Sequence, residues 1–116
     1  MGVEITRMVL AGLCVAALPV RGCHGIGARA FRIANGHPLM PKVTALGCSL
    51  TGVVGAFVAG QPRLEATVAA LACFGLAGEI AARAARGPAS FQTAFIDALH
   101  AMTPDDLTLG ARVEAA

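Results

Sequence analysis

Apolar positions change their spacing along this chain, and each change predicts an element. Residues 1–27 follow no period that assigns a strand or helix, although Met8 to Leu18 is a continuous apolar run behind Arg7. From Arg29 to Ala34 the residues alternate. Arg29, Phe31 and Ile33 fall on one face and Ala30, Arg32 and Ala34 on the other, which predicts a short strand. Asn35-Gly36 follows, and both residue types tolerate positive φ. The expectation is a two-residue hairpin turn with His37 to Val43 returning as the second strand. Pro38 and Pro41 restrict that return to an edge or irregular strand.

Beyond Cys48 the spacing becomes helical. Leu50, Val53, Val54, Phe57 and Val58 recur on one stripe of a helix from Ser49 to Ala59. Gly52, Gly55 and Ala59 lie on another face, where they would allow close packing. Gly60-Gln61-Pro62 ends it. A second helix is predicted from Arg63 or Leu64 to about Ala85, apolar almost all round until Glu79, so both of its faces should be covered. Gly87-Pro88-Ala89 breaks the chain again. Ser90 is then expected to cap a third helix with Phe91, Phe95, Ile96, Leu99 and Met102 on its inner stripe. Thr103-Pro104-Asp105-Asp106 predicts one more helix start: an N-cap threonine, proline at the first position, and acids in the first turn. No repeat, linker or second domain is visible.

Composition sharpens this picture. The 116 residues suffice for one small domain; 56% are hydrophobic and only 14% charged, with a mean hydropathy of +0.69. Either the chain enters a membrane or it buries surface against something outside itself. The net charge of +2 and nine singly scattered basic residues carry no nucleic-acid footprint. Cys14, Cys23, Cys48 and Cys73 form no CxxC pair and no zinc-ligand spacing; Cys14 and Cys73 read as small core residues. The apolar run after Arg7 imitates a signal peptide. Glu4 lies before it, and Pro19-Val20-Arg21 replaces a clean small-x-small cleavage site, so a buried element is the preferred reading. Arg21–Ala28 is a glycine-rich loop without a dinucleotide or Walker fingerprint.

The candidate chemistry centres on residues 40–59. A short loop containing Gly47 feeds directly into a helix. Free backbone N–H groups and the positive end of the helix dipole gather there, and Gly47 lets a ligand come close. Cys48 lies at the mouth of that helix, where the same field favours an anion. By itself a glycine before a helix is usually just a turn.

The stretch Asn35–Phe57, NGHPLMPKVTALGCSLTGVVGAF, resembles the signature of the hydroxyethylthiazole kinase family. The alanine-rich segment Ala69–Ala82 and Gly87-Pro88-Ala89-Ser90-Phe91 resemble two further elements of that family, in the same order. The resemblance covers Ala28 to the end, and it implies the C-terminal portion of a ribokinase-like α/β fold: here a mostly helical fragment with one β-hairpin near residues 29–43. It also implies an ATP- and Mg²⁺-dependent cytoplasmic kinase. Such an enzyme phosphorylates the hydroxyethyl group of 4-methyl-5-(2-hydroxyethyl)thiazole in thiamine biosynthesis and salvage, and works as a homotrimer with sites between subunits. Carried over residue by residue, Cys48 matches the catalytic position where related enzymes use an aspartate base. Gly47 and the Cys48 N–H match the anion hole. Ala45 matches a substrate-contacting position that is often glycine, so its contact is expected through the backbone. Thr44 and Ser49 could donate to phosphate or serve strand packing and helix capping. His37 could bind phosphate or act as a base, but a structural hydrogen bond to the next strand is favoured.

The family's substrate-pocket methionine, ATP-contacting arginine and acidic metal-site region have no counterpart in residues 1–27. Where a Val-Thr-Gly element belongs, the chain reads Leu18-Pro19-Val20-Arg21. A one-base shift of codons for Leu-Pro-Val-Arg can read Val-Thr-Gly-Ala, so residues 1–27 are expected to be out of the ancestral frame. The chain alone is accordingly expected to be weak or inactive. The competing reading is a small helical membrane protein with spans at 43–60, 64–78 and 8–20, and a third is a non-catalytic oligomerisation module.

Overall fold

The computed structural model describes residues 31–115. The expectations for residues 1–30 therefore lie outside the described residues: the signal-like run, the glycine-rich loop, the frame shift, Cys14, Cys23 and the first apolar span. Within 31–115 the order is β1 (Phe31–Ile33), a 3-10 turn (Met40–Lys42), α1 (Leu46–Val58), α2 (Arg63–Ala82), α3 (Pro88–Ala101), α4 (Pro104–Gly110) and β2 (Val113–Ala115). The chain is mostly helical with one two-stranded sheet, as the family resemblance implies.

The 20-residue α2 is the axis of the fold, with α1 and α3 packed on it and α4 and β1 also against it. Ala66, Ala70, Ala72, Cys73, Phe74, Gly75, Leu76, Ala77, Gly78 and Ala81 are all buried, so both faces of α2 are covered as its all-round apolar sequence predicts. Phe74 meets Phe95 edge-on at 4.8 Å between ring centroids, and Phe95 stacks on Phe91 at 5.8 Å. Burying each phenylalanine contributes roughly 1.5–3 kcal/mol. The same core takes Leu50 and Val54 of α1 and Met40 and Val43 of the turn.

Gly60, at φ +73°, makes the tight corner between α1 and α2, and Gln61 Nε2 donates to the Phe57 carbonyl that α1 leaves open. At α4, Thr103 Oγ1 accepts from the Asp106 N–H and the Asp106 carboxylate accepts from the Thr103 N–H, the reciprocal cap that the sequence predicts.

Five expectations need correction. The strand at 31–33 forms, but its antiparallel partner is β2, with Phe31 opposite Ala115 and Ile33 opposite Val113. His37–Val43 makes the 3-10 turn, because Pro41 cannot donate to a ladder and Asn35 bonds elsewhere. The first helix starts at Leu46 rather than Ser49. The third starts at Pro88 with Gly87 before it. Ser90 is its third residue, and Oγ accepts from the Arg86 and Gly87 N–H groups. Ile96, assigned to the inner stripe of that helix, is 59% exposed, and Ala98 is buried with Phe91 and Phe95.

The membrane alternative is not favoured. Its charge-free run 43–60 divides into a turn and a helix of 13 residues, well below the roughly 20 that a span needs. Among the described residues α2 alone is long and apolar enough to cross a membrane, and 56% of its apolar window is buried inside the chain against other helices.

Candidate functional site

The candidate site is built by the backbone leading into α1. The Met40 N–H donates to the His37 carbonyl, Lys42 to Leu39 and Val43 to Met40, a tight coil in which Pro41 needs no acceptor. Met40 and Val43 are buried, so this coil is pinned to the core from below. The chain then passes exposed Thr44 and reaches Ala45 at φ 66°, ψ 9°. This left-handed conformation costs a residue with a Cβ about 1–2 kcal/mol. It is the one positive φ at a non-glycine among the described residues, and it turns the chain sharply into the helix.

α1 begins at the next residue. Its first N–H groups, on Leu46, Gly47 and Cys48, have no acceptor within the helix. No side chain caps them and no acid stands in the first turn. The first ring closes with the Ser49 N–H donating to the Ala45 carbonyl at 3.1 Å. Gly47 and Cys48 are exposed, and a Cβ built on Gly47 meets nothing within 4 Å. The residues assigned from sequence, Ala45, Gly47 and Cys48, thus share one exposed turn, with open space outside it and the positive end of a helix dipole at its centre. Cys48 is a free thiol at the surface, whereas Cys73 is buried and desolvation pushes its thiol up, leaving it inert.

The other candidates have structural partners. His37 Nδ1 accepts from the Leu39 N–H at 3.2 Å, and its ring stacks 6.4 Å from Phe91. Its bond is to its own turn, not to a neighbouring strand. Ser49 Oγ donates back to the Ala45 carbonyl at 3.2 Å and caps nothing. Among the described residues no group of three or more His, Cys, Asp or Glu could hold a metal ion.

The surroundings of the turn are held by residues that no local spacing singles out. Asn35 is buried, with Nδ2 donating to the Gly110 carbonyl at 2.9 Å and Oδ1 accepting the Arg112 N–H at 2.7 Å. Glu79 Oε1 accepts the Gly36 N–H at 2.8 Å, and the Arg112 guanidinium bonds both Glu79 oxygens and the Ala34 carbonyl. The signal was present in Glu79, a lone carboxylate closing an apolar helix, since such a group requires a partner.

A tight 3-10 coil, a left-handed residue and a helix start without a side-chain cap thus follow one another at this exposed corner of the chain. Comparison with known proteins gives the chain its family. Residues 23–105 match the hydroxyethylthiazole kinase family, and the chain belongs to it. It is 74% identical over 90 residues to a hydroxyethylthiazole kinase of Cereibacter sphaeroides, covering 78% of this chain and 34% of that one. It is 54% identical over 89 residues to one from Desulfotalea psychrophila, covering 76% and 33%. The solved structure of a hydroxyethylthiazole kinase protein from Pyrococcus horikoshii OT3 superposes with a TM-score of 0.73 at 38% identity, over 78% of this chain and 35% of the other. The chain spans about a third of the length of the relatives it matches.

Proposed function

We propose that the family-matched part of the chain, residues 23–105, carries the phosphoryl-transfer turn of a hydroxyethylthiazole kinase, and that the out-of-frame segment expected over residues 1–27 is confined to the residues before 23. The reading rests on one observation: an uncapped, exposed helix start at Gly47-Cys48, entered through left-handed Ala45, within a chain of this family. In the proposed reaction the hydroxyl oxygen of 4-methyl-5-(2-hydroxyethyl)thiazole attacks the γ-phosphorus of ATP. The bond from that phosphorus to the bridging oxygen breaks and ADP leaves. The hydroxyl proton passes to Cys48, which takes it up as the thiolate. The N–H groups of Gly47 and Cys48 face the equatorial oxygens, where charge gathers in the transition state. The Ala45 backbone orients the alcohol. ATP is the phosphoryl donor, carried with Mg²⁺ as the family implies. The cytoplasm is the proposed location and a trimer the proposed assembly.

Positioning and charge stabilisation dominate phosphoryl transfer, so the anion hole is expected to outweigh the base. In the chain combined with a polypeptide carrying the remaining two-thirds of a Cereibacter sphaeroides relative, Cys48→Asp should retain or raise turnover. Complete loss, with folding intact by circular dichroism, refutes that ranking. The reading itself is tested by ATP-dependent phosphorylation of the thiazole alcohol, followed by mass. The chain alone should give little or none and the complemented mixture should give turnover. A robust signal from the chain alone removes the fragment reading; silence from a stably associated mixture removes the kinase reading.

A further inference from the structure

Glu79 of α2 and Arg112, just before β2, bond to one short stretch of backbone, residues 34–36, and the Asn35 side chain within that stretch bonds to Gly110 and Arg112 in return. We infer that this clasp is a positioning device, and that Glu79 at its centre holds the Ala45–Cys48 turn in its left-handed, helix-opening form. The inference deepens the proposed phosphoryl site and rests on that reading for its functional meaning.

Ala45 is the strained point of the turn. A left-handed residue bearing a Cβ persists only where the flanking structure over-determines it. Downstream, Leu50 at 1% exposure and buried Val54 fix α1 to the core. Upstream, something must fix residues 35–43. Their path lies along the small-residue face of α2. A Cβ on Gly75 would stand 2.7 Å from the Asn35 carbonyl oxygen, and one on Gly78 would stand 2.5 Å from Met40 Sδ, so the segment lies flush on the helix backbone. One helical turn beyond Gly75, Glu79 reaches the Gly36 N–H at 2.8 Å. That carboxylate is itself oriented by Arg112, whose guanidinium also bonds the Ala34 carbonyl, while the Asn35 side chain grips the backbone on both sides of Ala111. From this fixed point the chain has only the 3-10 coil, anchored at buried Met40 and Val43, before it reaches the turn. The N–H of Gly36 has one acceptor, and that acceptor is charged, which makes this the stronger kind of hydrogen bond. β2 closes the clasp from the far end of the chain. Its entry residues, rather than its ladder with β1, carry the bonds to residues 34–36.

The Ser49 amide reports directly on this geometry, because its acceptor is the carbonyl of Ala45. The experiment is amide hydrogen exchange, resolved by residue, on the full chain and on Glu79→Ala, Glu79→Gln and Arg112→Met. The Ala66 amide at the start of α2, bonded to the Pro62 carbonyl, is the internal control for global stability. Glu79→Ala should speed Ser49 exchange roughly tenfold relative to Ala66, the loss expected when a hydrogen bond to a charged acceptor goes. Glu79→Gln keeps an oxygen for Gly36 and should restore most of the protection. Arg112→Met should give a smaller acceleration, and it carries the test if Glu79→Ala does not fold. Equal acceleration of Ser49 and Ala66 would reduce the clasp to a general stabiliser. Unchanged Ser49 with faster exchange at Arg112 would reduce it to a fastening for β2, and either result overturns the inference. No nucleotide or thiazole is present, so the outcome is independent of whether the complemented mixture turns over.

Discussion

α1 and α2 are built from the same materials and do opposite things with them. Both are rich in glycine, alanine and aliphatic residues, and neither has a charged residue in its central stretch. In α2 the glycines are places where other chain segments touch. Gly75 and Gly78 leave no room for a Cβ because Asn35 and Met40 lie against them. In α1 the glycines look outward. A Cβ on Gly47, Gly52 or Gly55 would meet nothing within 4 Å, and the face that carries them is exposed. A small residue in a helix therefore means close packing in one and an open face in the other, and the local sequence is the same for both. The open face of α1 adjoins the turn that carries the proposed chemistry, whereas the filled face of α2 carries Asn35 and Met40, upstream of that turn.

The contrast can be broken most severely at Gly75. Gly75→Ala forces the Asn35 backbone away from α2 and should cost about 1–3 kcal/mol, the range for overpacking a filled site. A urea midpoint unchanged from that of the parent chain would show that the segment yields freely. A smaller effect of opposite sign is expected at the turn. Ala45→Gly removes the left-handed penalty of about 1–2 kcal/mol and loses part of it to the freer unfolded chain, for a net gain of about 1 kcal/mol. A lower midpoint would mean that the Ala45 methyl has a packing role. Smaller again is Gly52→Ala on the open face, which should stabilise the chain by about 0.5–1 kcal/mol through helix propensity alone. Destabilisation there would reveal a surface already covered in solution.

The smallest effect belongs to the exposed cap of α4. Hydrogen bonds from the Thr103 hydroxyl and N–H lower the Asp106 carboxyl below its usual range. A carboxyl lowered by folding adds stability above its unfolded titration range, and that stability disappears as pH falls through the folded one. Thermal midpoints should therefore decline slightly on acidification through and below the ordinary aspartate range. The parent should decline more than Asp106→Asn, and parallel curves would dismiss the cap as a pH-sensitive element.

Much of this was legible in the residues. The Thr103-Pro104-Asp105-Asp106 cap is complete within four residues, so its geometry follows from local chemistry. The burial of α2 on all sides follows from a sequence with no polar face, and the outer limits of α1 and α3 were read to within a few residues. The three proposed site residues share a turn because they are nearly adjacent in the chain. Asn35-Gly36 shows where such reading stops. The dipeptide has the makings of a hairpin, yet the Asn35 side chain is engaged by Gly110 and Arg112, 75 and 77 positions away, and Gly36 by a carboxylate 43 positions away. Those bonds outcompete a local turn, and no spacing rule spans such distances. Ile96 fails in a similar way. It suits an inner stripe of α3, but the face of α3 that meets α2 is centred on Phe91, Phe95 and Ala98, and leaves Ile96 outside.

By itself the sequence determined the helices to within a few residues, the α4 cap and the order of the family's motifs, because each depends on residues within a turn or two of one another. Only the tertiary structure decided which strand pairs with β1, which glycines are filled and which open, and that Ala45 is left-handed. These depend on segments brought together from opposite ends of the chain, where packing against α2 and the charge pair of Glu79 with Arg112 override the local preference.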